Sequence, residues 1–212
     1  MSDTTLQLEI LDDVIEANIS EEVFKIELEG GVGAASSEEL NRYAFLTAHN
    51  SFRLSQLMNS SFFQMEDGFM DWLDDETYID VANCDNQEYV NYFGTSYYYT
   101  PTQIGYVPQD MVVESIAVDS NGVSDSARII LLIEEIDAIL LNTDLKIYVS
   151  RDNGVTWSEG TLEVEGNFLN NFKVCVTIID LSSQPSDLHM KYRIESLNNK
   201  NLKVYATALS WL

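Results

Sequence analysis

The feature that most limits how this chain can fold is a series of short alternating segments between Met111 and Leu212, each closed by a turn cluster and none carrying a helical apolar period. Met111–Val118, Ala127–Ile133, Asp144–Ser150, Thr161–Glu165, Phe172–Asp180, His189–Glu195 and Leu202–Trp211 read as strands. Asp119-Ser120-Asn121-Gly122, Asp152-Asn153-Gly154, Ser182–Asp187 and Leu197–Asn201 read as the turns between them. Seven or eight strands at this spacing, with no helices between them, predict an antiparallel β-sandwich or jelly-roll-like domain over 61–212.

Two shorter regions precede it. Thr4–Glu29 holds three alternating segments and ends in Gly30-Gly31-Val32-Gly33, so 1–35 reads as a short β segment with a glycine joint, an attachment arm too small to stand alone. Over 36–60 a helix is expected, with Ser37 as its cap and glutamates in its first turn. Leu40, Tyr43, Ala44, Thr47, Asn50, Leu54, Leu57 and Met58 recur at three- and four-residue steps along it. This spacing fits either one apolar stripe packed on the chain's own domain or a coiled-coil seam through Leu40, Tyr43, Thr47, Asn50, Leu54 and Leu57, a self-association site.

Charge narrows the function classes. Eleven Lys and Arg face 35 Asp and Glu, a formal net charge of −24. Phosphate backbones and anionic lipid repel such a surface, so nucleic acid is not an expected partner. The longest apolar run, Ile129–Ile133, suits a buried strand and falls far short of a membrane span, and Met1-Ser2-Asp3-Thr4 does not open a secretion signal. Cys175, between Val174 and Val176, reads as a buried thiol, and no disulfide with Cys84 is expected.

Chemistry-bearing motifs are few. Ser150-Arg151-Asp152-Asn153-Gly154-Val155-Thr156-Trp157 matches the S-x-D-x-G-x-T-W pattern of the sialidase Asp-box, in which the Asp ties a hairpin turn and the Trp packs beneath it. A single copy without an arginine cluster predicts a hairpin rather than a glycosidase. Carboxylates crowd Glu66–Asp85, and Asp71, Asp74, Asp75 and Asp80 are candidate calcium ligands, although no D-x-D-x-D-G loop is present and a solvated acidic loop accounts for the same run. No other cofactor is expected. His49 and His189 lack metal or catalytic spacing, and no catalytic residues are expected. Tyrosines concentrate in one stretch, where Tyr92, Tyr97, Tyr98, Tyr99 and Tyr106 are candidates for an exposed binding platform. The same residues serve equally as sheet-covering strand side chains.

Several stretches resemble tail-fibre-like virion proteins of bacteriophages. Phe62–Asp80, with Glu66-Asp67-Gly68-Phe69, Asp71, Asp74-Asp75-Glu76-Thr77 and Ile79-Asp80, is similar to a "DGF-x-D-x-x-x-DETGID" segment that follows a helix there, with Tyr78 standing where that pattern has Gly. Leu131–Asp137, Leu145–Trp157, Asp180–Ser186 and Met190–Trp211 resemble their C-terminal β-domain, so the likeness spans roughly 40–212. It implies a virion structural protein, a tail or head fibre subunit and homotrimer. Residues 1–35 would then dock to other virion proteins and the head to a host-surface glycan or protein. A carbohydrate-binding β-sandwich module without a permanent assembly role is the alternative.

Overall fold

A computed structural model describes the backbone of residues 7–11, 14–19 and 22–27, and residues 36–58, 65, 67–92 and 96–212 in full. The glycine joint at 30–33, Phe62, Glu66 and Phe93 lie outside the described residues. The chain divides into two compact units, Met1–Leu40 and Asn41–Leu212.

In the first unit β1 (Gln7–Leu11), β2 (Val14–Ile19) and β3 (Glu22–Glu27) form an antiparallel meander. Helix α1 (Ser37–Met58) begins there. Its cap is Ser36 rather than Ser37: Ser36 Oγ accepts from Glu39 N at 3.2 Å and Glu39 Oε2 accepts from Ser36 N at 2.8 Å. That reciprocal pair is the capping box of an S-x-x-E sequence, which satisfies two free donors where a single serine satisfies one.

The second unit contains β4 (Asp67–Asp71), β5 (Gln87–Tyr92), β6 (Ser96–Pro101), β7 (Gln103–Ile104), β8 (Val107–Pro108), β9 (Val112–Glu114) and β10 (Val118–Asp119). It continues with β11 (Ser126–Glu135), β12 (Leu145–Ser150), β13 (Ser158–Gly160), β14 (Glu163–Asn167), β15 (Phe172–Asp180), β16 (His189–Ser196) and β17 (Leu202–Trp211). The fold is mainly β, an antiparallel sandwich with one long helix. The larger sheet has the order β14-β15-β11-β17-β6-β5, with β4 also paired to β17. The smaller runs β10-β16-β12-β13, with β9 on β16. Met111–Val118 forms two short strands instead of one, because Ser115 leaves the ladder to bridge Ile79 and its hydroxyl accepts from Tyr192 N.

The layers explain the composition of the strands. On β11, Ala127, Ile129, Leu131 and Ile133 face the smaller sheet and share a core with its Ile147, Val149, Tyr192 and Ile194 and with Cys175 and Trp211 of their own sheet. The alternate residues Ile130 and Leu132 face the helix. A strand covered on both sides needs a continuous apolar run, which is why Ile129–Ile133 does not alternate. A bulge in β17 at Tyr205, where Leu132 pairs Ala206 and Ile133 pairs Val204, turns the Tyr205 ring to the helix side. Cys175 is buried between the sheets as a free thiol, and burial pushes its pKa up to about 12.

The helix packs on its own domain through a face other than the stripe expected. Ala44, Phe45, Ala48, Phe52 and Ser55 are buried, against Ile130, Leu132, Phe172, Val174 and Tyr205. Of the expected stripe only Ala44 is buried, while Leu40, Tyr43, Thr47, Asn50, Leu54, Leu57 and Met58 are exposed. Two phenylalanines flanking a small Ala48 fit the ridged outer face of the sheet, and this face leaves the polar Thr47 and Asn50 in water.

Candidate functional site

The Asp-box sequence folds as expected. Asn153 and Gly154 take positive φ of 58° and 81°. Asp152 accepts from Thr156 N at 2.8 Å, Thr156 Oγ1 at 2.7 Å and Ser150 Oγ at 2.7 Å. Burial alone would raise its carboxyl, but the bonds from Thr156, Ser150 and Val155 outweigh burial and hold it below the usual carboxylate range. Trp157 packs half-buried at the foot of the turn, with the Arg193 guanidinium 5.9 Å from its ring centre. The motif closes the hairpin between β12 and β13.

The four candidate calcium ligands do not converge. Asp71 is buried, accepting from Leu73 N at 2.9 Å and Tyr192 Oη at 3.2 Å, and burial pushes its carboxyl up to about 6. Asp80 accepts from Asn83 Nδ2 and Lys191 Nζ, and Asp74 and Asp75 are solvent-exposed. Among the described residues no group of three or more acidic, His or Cys side chains is placed to hold a metal ion. The β4–β17 pairing carries Asp71 into the core, away from the loop that follows.

The tyrosines are dispersed as well, because strand alternation sends neighbours to opposite faces. Tyr99 is buried in the core between the sheets and donates to Glu76. Tyr89 lies at that core's margin and stacks on Tyr97 at 4.7 Å. Tyr92 and Tyr98 point to the helix side around Tyr205, with Lys203 Nζ 5.0 Å from the Tyr98 ring. Tyr106 stands alone on the β7–β8 hairpin, 98% exposed. Five residues therefore occupy three environments, and the single platform is not formed.

What the fold does assemble is a groove of about 380 Å³ between α1 and the β4 and β6 strands. Phe45, His49 and Arg53 line it from the helix at i, i+4 and i+8, one stripe of side chains. Met70, Trp72 and Asp74 come from β4 and the residues after it, Ser96 from β6, and Tyr205 from the β17 bulge. The His49 ring lies 4.4 Å from Trp72, Phe52 backs Trp72 at 5.3 Å, and Phe45 lies 5.2 Å from Tyr205. Burial, aided by the Arg53 charge, holds the His49 imidazole below its usual range, so it is neutral at pH 7. The groove thus offers flat aromatic walls with one cation, one carboxylate, a hydroxyl and a neutral imidazole at its margins. Its volume falls in the range of small-ligand sites. A larger cleft of about 750 Å³ is lined by Glu159, Glu163, Glu165 and Asp180, and its cation Arg128 is already bonded to Glu165 and Ser55.

The helical spacing of Phe45, His49 and Arg53 was present in the sequence. Nothing local linked it to Trp72 or Tyr205, which arrive from β4 and β17.

No family model matches the chain, and no curated protein matches it. Among solved structures, the C-terminal carbohydrate-binding module CBM6 of LamC, a marine laminarinase from Zobellia galactanivorans, is similar over 68% of this chain and 99% of its own. The identity is 8% and the TM-score 0.44. The sandwich architecture of this chain rests on its own strand pairing.

Proposed function

We propose that the chain is a carbohydrate-binding β-sandwich module that holds neutral glycans in the groove between α1 and β4. The observation that carries this reading is Trp72, half-buried in the groove wall, with the His49 ring packed on it at 4.4 Å and tilted by 33°, Phe52 edge-on behind it, and Arg53, Asp74 and Ser96 along the same groove. Sugar rings present C–H faces that pack on aromatic rings, and hydroxyls at their edges that need donors and acceptors within reach. The Arg53 guanidinium on the helix wall and the Asp74 carboxylate on the strand wall supply both. The net charge of −24 repels uronate and sulfate polymers, which favours uncharged glycans.

The test is titration calorimetry of the full chain against neutral and acidic oligosaccharides, repeated with Trp72→Ala. Binding to a neutral member, weakened at least tenfold by the substitution while the fold is retained, supports the reading. Equal affinity of the variant, or no binding across the panel, removes it.

A second reading, a phage virion fibre subunit, rests on the sequence resemblance and assigns the small three-stranded unit as an arm and the larger unit as a head. In that reading 1–35 docks to other virion proteins and the head meets the host surface. Antibodies against the head that fail to label purified particles from the source culture would remove it.

A further inference from the structure

Helix α1 has two apolar faces, and among the described residues one of them is packed and the other is exposed. In heptad terms Phe45 and Phe52 fall at f, Ala48 and Ser55 at b and Ala44 at e, a face turned away from a second set at a and d, Leu40, Tyr43, Thr47, Asn50, Leu54 and Leu57, whose steps are 3-4-3-4-3. The first set is buried against the sheet. The second is exposed throughout, with Leu54 at 62% and Leu57 at 68%.

We propose that this outward face takes a second copy of the chain, with the two helices antiparallel about a two-fold axis between Thr47 and Asn50. The occupant follows from self-complementarity. Under that axis Leu40 meets Leu57 of the second copy, Tyr43 meets its Leu54, and Thr47 meets its Asn50, so apolar layers meet apolar layers and the polar layer meets itself. Every layer joins an a position to a d position, as antiparallel knobs-into-holes packing requires, and each contact occurs twice, as in an isologous interface. Exposed Leu46 and Met58 flank the seam, and a groove of about 450 Å³ runs between Tyr43, Thr47 and the Phe168-Leu169 loop. A stable interface takes roughly 800 Å² from each partner, which the seam and these margins together must supply.

Charge selects the direction. Glu38 and Glu39 open the helix and no basic residue closes it. A parallel pair would set four glutamates together and align the helix dipoles. The antiparallel pair separates the glutamates by the helix length, about 33 Å at 1.5 Å per residue, and opposes the dipoles. Each copy also carries a net charge of −24, so added salt, which screens that repulsion, strengthens the pair.

Sedimentation equilibrium of the full chain at low and high salt tests the pairing. The expected result is a dimer whose dissociation constant falls at least tenfold with salt, and rises at least a hundredfold in the Leu54→Glu/Leu57→Glu variant with an unchanged circular dichroism spectrum. Direction is read by oxidation in a Cys84→Ser background. Leu40→Cys mixed with Leu57→Cys gives a crosslinked pair, and neither gives one alone. This crosslink decides the matter should the double glutamate variant fail to fold. A monomer at all concentrations, a trimer, or self-crosslinking of Leu57→Cys alone overturns the proposal.

Discussion

Lys191 Nζ lies 2.6 Å from Glu114 Oε1, and the two side chains are only 4% and 10% exposed. Asp80 Oδ2, 3.1 Å away on the loop after β4, shares the same ammonium. The pair thus fastens β9 to β16 at the outer face of the smaller sheet, and its Asp80 arm ties in the acidic segment. Lys191→Met leaves Glu114 buried without its cation, a loss of about 3–5 kcal/mol. Adding Glu114→Gln recovers most of it. Urea denaturation of the single and double variants measures both, and equal midpoints for the two variants would contradict the account.

Asp71 provides a pH dependence of known sign. Its folded carboxyl, raised to about 6 by burial, binds a proton more tightly than the unfolded chain does. Its contribution to stability therefore falls as pH rises from about 4 to 6, by roughly 3 kcal/mol at 1.36 kcal/mol per unit, and stays low above that. Asp71→Asn keeps an acceptor for Leu73 N and removes the titration. The difference in unfolding free energy between variant and parent should move in the variant's favour by up to that amount between pH 4 and 7.5, and a flat difference would refute it.

Phe52 is fully buried between the helix and Trp72. Phe52→Ala should cost about 3–5 kcal/mol, lowering the melting temperature by roughly 6–20 °C, and should loosen the groove wall. Loss of stability without loss of glycan affinity would separate the helix from the site.

Gly68 sits on β4 with φ of +156°, and a Cβ there would fall 2.4 Å from Leu209 O and 2.6 Å from Ser210 Cα. Gly68→Ala should release β4 from β17, at a cost of about 2 kcal/mol or more. Amide exchange should then rise over Asp67–Asp71, and Trp72 should leave the groove. Retained protection there would show that β17 yields instead.

Much of the fold was legible because its determinants are local. The turn at Ser150–Trp157 closes through side chains of its own eight residues, the S-x-x-E box starts the helix, and alternation marks strands such as Leu145–Ser150. The helix also carried its two faces openly: Phe45 and Phe52 were as visible as Leu54 and Leu57.

Which face turned inward, however, depended on the partner surface. Tyr205 and Phe172 on the sheet accept Phe45, and only the β17 bulge puts Tyr205 on that side. The same holds for the scattered sites. Asp71 and Asp74 are three residues apart in sequence, yet one is carried into the core by β17 while the other faces water. Tyr98 and Tyr99 part because strand geometry sends them to opposite faces, and the layer covering each face is supplied from far along the chain. The sequence by itself determined the elements and their turns, since these depend on near neighbours. The tertiary structure alone decided which side chains meet, because the burial that fixes them is shared among strands distant in sequence.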